Sequence, residues 1–200
     1  MALNFANNNS LSAITTLPAS ISGGGMTLIS EQTASSSATI DFTSNIDSTY
    51  DSYVFKFINI HASNDNVEFN VNFRDGGSSF DAVKTTTNFF AYHTENDSLA
   101  SISYGSLFDL AQSTSGQNLS YGMGSGNDEC LSGTLTLFNP SSTTFVKHFL
   151  HSGNRYVGSN ISANDFVAGY GNTTSAVTGI QFKMSSGNID SGVIKLYGIS

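Results

Sequence analysis

The chain carries four histidines, His61, His93, His148 and His151, two of them three positions apart. Paired imidazoles are the commonest route to a zinc site. On a strand, however, residues three apart point to opposite faces, so His148 and His151 cannot converge on one ion unless a bulge intervenes, and no metal is expected. His93 precedes Thr94-Glu95-Asn96-Asp97, which sets an imidazole beside carboxylates. A triad also needs a nucleophile in a strained turn, and no G-x-S-x-G setting is present.

Oxygen-rich turns are the better candidates for binding. Asp47-Ser48-Thr49-Tyr50-Asp51, Asn64-Asp65-Asn66 and Asn127-Asp128-Glu129 could hold calcium through carboxylates and carbonyls. None follows the spaced acidic register of a known calcium loop, and Asn and Asp are favoured in turns for their own backbone reasons. Carboxylate pairs for glycoside hydrolysis could be drawn from Asp41, Asp47, Asp51, Glu68 and Glu95, but pairing them requires a fold to bring them together. With tryptophan absent, sugar stacking would fall to Tyr50, Tyr92, Tyr104, Tyr121, Tyr156 or Tyr170. The single Cys130 cannot form an intramolecular disulfide and reads as a small buried hydrophobe. The chain is therefore read as a non-enzyme without a cofactor.

Composition agrees. Only 11% of residues are charged, whereas 15 Phe and 8 Tyr supply a large aromatic core. A net charge of -8, with seven scattered Lys and Arg, argues against a phosphate-backbone partner, so no nucleic acid is expected. No apolar run is long enough to span a bilayer, and the opening MALNFANNNS lacks the basic and apolar regions of a classical export signal.

Positioning falls to strands. In Val67 to Arg74, Val67, Phe69, Val71 and Phe73 alternate with Glu68, Asn70, Asn72 and Arg74, the period-two pattern of a half-buried strand. Further strand candidates run from Met26–Glu31 through Ala38–Phe42, Tyr53–His61, Asn88–His93, Leu99–Tyr104, Asn118–Met123, Gly133–Phe138, Thr144–His151, Asp165–Gly169 and Gly179–Met184 to Val193–Ile199. Turn clusters separate them, Ser152-Gly153-Asn154 among others. Tyr53–His61 is apolar on both faces, with Tyr53, Phe55 and Phe57 set against Val54, Ile58 and Ile60, and reads as a central strand covered on both sides. Ser106–Gln112 is the one helix candidate. Strand and turn at short spacing predict an all-β fold: a two-sheet antiparallel β-sandwich, jelly-roll-like, over residues 26–200. Residues 1–25 read as an N-terminal arm ending in Gly23-Gly24-Gly25, with Leu11, Ile14, Leu17 and Ile21 as its anchoring residues at three- and four-residue spacing.

Three stretches carry a resemblance: Leu28-Ile29-Ser30 to Phe42 with Ile46-Asp47-Ser48-Thr49-Tyr50-Asp51 and Phe55-Lys56-Phe57; Phe138-Asn139-Pro140-Ser141-Ser142-Thr143-Thr144 to His148; and Lys183 to Ile199, closing on Gly192-Val193-Ile194-Lys195-Leu196-Tyr197-Gly198-Ile199. Together they resemble virion structural proteins of tailed bacteriophages infecting marine bacteria. The resemblance implies a particle component without catalysis, on the head as decoration or cement or on the tail as a short appendage. Its expected partners are other virion proteins, major capsid or tail proteins, and copies of itself in a homotrimer. Its expected location is the virion, assembled in the host cytoplasm. The competing expectation is a carbohydrate-binding adhesin of a tail fibre or spike, with loop Tyr and Asn residues on a host surface glycan.

Overall fold

A computed structural model describes residues 25–158 and 160–200, so the anchoring residues Leu11, Ile14, Leu17 and Ile21 lie outside the described residues. The described chain forms twelve strands: β1 (Thr27–Thr33), β2 (Ile40–Phe42), β3 (Ser52–Ala62), β4 (Val67–Arg74), β5 (Lys84–Thr94), β6 (Ala100–Tyr104), β7 (Gln117–Met123), β8 (Leu131–Phe138), β9 (Lys147–Val157), β10 (Ile161–Gly171), β11 (Gly179–Met184) and β12 (Ile189–Ile199). All pairings are antiparallel, in an eight-stranded sheet ordered β1-β12-β3-β8-β9-β10-β5-β6 and a four-stranded sheet ordered β2-β11-β4-β7.

The order is that of a jelly roll with two insertions. Strands β1-β12-β3-β8 face β2-β11-β4-β7, the two interleaved four-stranded sheets of that architecture. The hairpin β5–β6, inserted between β4 and β7, and the hairpin β9–β10, inserted between β8 and β11, join each other and extend the first sheet.

Period-two alternation builds the core. Phe55 and Phe57 of β3, Phe69 of β4, Phe182 of β11 and Phe42 of β2 meet between the sheets with ring centroids 5.2 to 6.3 Å apart, mostly edge to face. Such pairs add about 0.5–1.5 kcal/mol each beyond burial. β3 is central, between β12 and β8, but its outer face is only partly covered: Val54 is buried, Lys56 half-buried and Ile58 exposed. Ile60 was expected on that face and instead enters the core. The register shifts between Phe57 and Ile60, and Asn59 adopts a φ of 49°, so one bulged residue moves every later side chain to the other face. Gly192 on β12 completes the irregularity, since its φ of 119° and the Asn59 oxygen 2.6 Å from where a Cβ would lie both exclude a side chain.

Two local expectations fail. Ser152-Gly153-Asn154 is no turn but the middle of β9, paired to β8 on one side and β10 on the other. Gly153 lies opposite Gly133, where a Cβ on Gly133 would come 2.6 Å from the Gly153 Cα, so the glycine serves close backbone approach. Ser106–Gln112 forms turns and no helix, because Leu110 N–H donates to Thr86 Oγ1 and Gln112 N–H to Thr85 Oγ1 at 2.8 and 3.1 Å. With these amides bound to β5, the i to i−4 ladder cannot close.

Candidate functional site

The extension formed by β9, β10, β5 and β6 holds the unusual chemistry. Its inward positions are rich in polar groups. Arg155 on β9 and Asp165 on β10 are paired at 2.9 Å with both side chains buried, and Ser120 Oγ of β7 donates to the same carboxylate oxygen at 2.8 Å. The Arg155 guanidinium lies 4.2 Å from the Tyr121 ring centroid, and that ring stacks on Phe108 at 4.1 Å. Burial pushes the Asp165 carboxyl up, against the pull of Arg155 and Ser120. On β5, Thr86 bonds Gln117 of β7, and Lys84 is fully buried with its Nζ donating to Ala82 O at 2.8 Å and Asn72 Oδ1 at 3.2 Å. Burial lowers that ammonium to about 8.

The two spaced histidines fall where strand geometry puts them, on opposite faces of β9. His148 is exposed, whereas His151 is buried with Nδ1–H donating to Thr134 O at 2.9 Å, and burial lowers its imidazole to about 4. His151 is thus a neutral core residue at ordinary pH. His93 does meet a carboxylate, Asp97 at 2.9 Å, on the open β5–β6 hairpin. Among the described residues no three His, Cys, Asp or Glu side chains gather into a metal-binding group.

Two of the three acidic turns converge. Asp65 Oδ1 accepts from Ser125 N–H and Oγ at 2.7 and 2.8 Å, which ties the β3–β4 turn to the β7–β8 loop. Between them lies a recess of about 540 Å³ lined by Asp65, Asn66, Ser125 and Glu129 with Gly122 and Gly124. Glu129 is buried, and Gly126 N–H donates to it at 2.7 Å. A Cβ at Gly124 in this loop, or at Gly158 just after β9, would overlap the Glu129 carboxylate, so glycine at both positions makes room for the acid. Asp47, in the third turn, bonds Thr49 and Tyr53 instead. Asp41, Asp47 and Asp51, Glu68, and Glu95 are distributed over β2, the β2–β3 connection, β4 and the β5–β6 hairpin. Cys130, expected to be buried, is half-buried beside a second recess with His61 and Asp190, because it sits in the loop entering β8 and not within the sheet.

The outward positions of the extension form the larger surface. Phe89 of β5 stacks on Phe166 of β10 at 4.8 Å. Leu150 on β9 is 53% exposed, and Ile102 and Tyr104 on edge strand β6 are 68% and 57% exposed. Hollows of about 300 and 260 Å³ lie beside this ridge over Thr134, Leu150 and Ala168. No outward position of β8, β9, β10, β5 or β6 is Asp, Glu, Lys or Arg. By contrast, the outer face of the four-stranded sheet carries Asp41, Gln181, Lys183, Glu68 and Arg74. Sequence reasoning missed the apolar face because the strand containing Leu150 was ended at His151. The missed signal is that Lys147, His151 and Arg155 share one strand phase and Leu150 the other.

Protein-family models, curated proteins and solved structures were compared with the chain, and none matches.

Proposed function

We propose that this chain is a non-enzymatic structural protein of a bacteriophage virion, carried on the particle exterior. In this reading it decorates or cements the capsid, or builds a short tail-associated appendage, as one subunit of a homotrimer assembled in the host cytoplasm. The resemblance over the closing Gly192–Ile199 stretch supports it, and jelly rolls recur among capsid proteins, which is support by analogy of fold. The observation that carries the reading is the outer face of β8, β9, β10, β5 and β6, free of Asp, Glu, Lys and Arg and with Phe89, Leu150, Phe166 and Ile102 set among Ser, Thr and Asn, a surface suited to contact with protein. Leu11, Ile14, Leu17 and Ile21 would add a second grip on neighbouring capsid or tail proteins, and several weak grips on a repeating lattice multiply.

The test is mass spectrometry and reconstruction of purified particles. A stoichiometric jelly-roll subunit on the exterior is expected, and the joint change of Leu11, Ile14, Leu17 and Ile21 to Ser should abolish incorporation while the protein stays folded. Absence from the particles would end the reading.

One observation favours a second reading, a glycan-binding adhesin. The recess of Asp65, Asn66 and Glu129 offers carboxylate and amide oxygens that could accept from sugar hydroxyls. A glycan array with the full chain, repeated with Asp65→Ala, separates the two: binding lost in the variant supports the adhesin.

A further inference from the structure

We infer that the outer face of β8, β9, β10, β5 and β6 packs against the same face, or an adjoining one, of a second copy of this chain. The inference deepens the structural-protein reading by naming the partner of its apolar face, and it rests on that reading for its biological setting.

Three features point to a second copy. The first is charge. With a net charge of -8, copies repel one another over most of their surface, and this face is where they can meet without burying like charges. The carboxylates that touch this face, Asp97 on His93 and Asp109 on Tyr104, sit at its β5–β6 edge, so its centre offers a basic partner nothing complementary. Interface cores are depleted in charge and enriched in aromatic residues, as this face is with Phe89, Phe166 and Tyr104.

The second feature is size. Five strands at about 4.8 Å spacing, roughly 30 Å long, make a patch on the order of 700 Å². A stable interface buries about 800 Å² per partner. The face alone therefore approaches what a dimer or each contact of a trimer requires.

The third feature is relief. Ile102 and Tyr104 stand proud on the edge strand, while hollows of about 300 and 260 Å³ open further into the sheet, both reaching Leu150 of β9 and Ala168 of β10. A surface that carries both a ridge and a hollow can be its own complement when a symmetry axis lies between them. Among the described residues strand β6 also leaves one edge unpaired, which a copy placed alongside would cover.

The experiment is sedimentation equilibrium of the full chain from 1 to 100 µM, with Leu150→Glu, Ile102→Glu and the control Gln181→Glu on the outer face of the other sheet. The wild type and the control should sediment as a dimer or trimer. Each face variant should weaken association at least 10-fold. Circular dichroism melts confirm folding, and the milder Leu150→Ser and Ile102→Ser, expected to weaken association by a smaller factor, serve if a glutamate variant fails to fold. A wild type that is monomeric at 100 µM overturns the inference, as does association unchanged by substitutions at both positions. So does a monomer that binds glycan through this face and loses it on Leu150→Glu. A monomeric protein found in particles would sink this inference and leave the structural-protein reading standing; an oligomer never found in particles would do the reverse.

Discussion

Where the eight-stranded sheet overlies its partner, Phe55, Phe57, Leu135 and Leu196 point inward, and Lys56, Lys195 and Glu31 point out. In the extension both faces are mixed: Lys84, His151, Arg155 and Asp165 are inside beside Phe149 and Val167, and Leu150, Phe89, Phe166 and Ile102 are outside among Ser, Thr and Asn. An antiparallel sheet normally puts its apolar side chains against the core, so buried charged groups and exposed rings together set the extension apart from the first half. The first half resembles a finished surface. The second has an interior held by directional polar pairs and an exterior suited to further burial.

The contrast can be broken from the inside of either half. Phe182→Ala removes a ring that touches Phe42, Phe55, Phe57 and Phe69, and should cost about 4 kcal/mol in chemical denaturation, as large-to-small core changes do. In the extension, Arg155→Met leaves Asp165 buried without its cation, at an expected cost of about 3 kcal/mol. Adding Asp165→Leu should recover most of that loss, since a buried ion pair exchanged for apolar groups is often neutral. Failure of this rescue would mean that the polar interior is required for the geometry of the extension as well as for pairing.

Acid sharpens the comparison. His151 is lowered from an ordinary value of 6.5 to about 4 by burial. Between those values the unfolded chain takes up a proton that the folded one refuses, so stability should fall as pH drops from 6.5 to 4, by up to about 3 kcal/mol. The raised Asp165 acts in the opposite sense at low pH, so the difference between wild type and His151→Gln, followed by denaturation across this range, isolates the histidine. An identical pH profile in the variant would refute the assignment. The smallest effect belongs to the first half: Glu31 and Lys195 are paired at 2.9 Å but partly exposed, and Lys195→Met should change stability by less than about 0.5 kcal/mol.

The sandwich was largely legible because its strands obey one rule, apolar on alternate residues, and Val67–Arg74 follows it with Phe69, Val71 and Phe73 in the core. The extension was harder to read because its strands mix polar and apolar side chains on both faces. Lys147 and Phe149 share a face, as do Val167 and Asp165, so hydropathy alone does not reveal which side is inside. The acidic turns were recognised singly; their convergence depends on pairing between β4 and β7, which no local spacing encodes.

The seam at Gly133 and Gly153 has its own consequence. Among the described residues the two halves share a continuous sheet only through the ladder between β8 and β9. Where Gly133 faces Gly153 neither strand carries a side chain, and a Cβ on Gly133 would run into the Gly153 backbone. A methyl group on Gly133 would act as a wedge at the weld between the two parts, which makes this glycine intolerant of mutational drift even though its sequence neighbour Ser132 is solvent-facing.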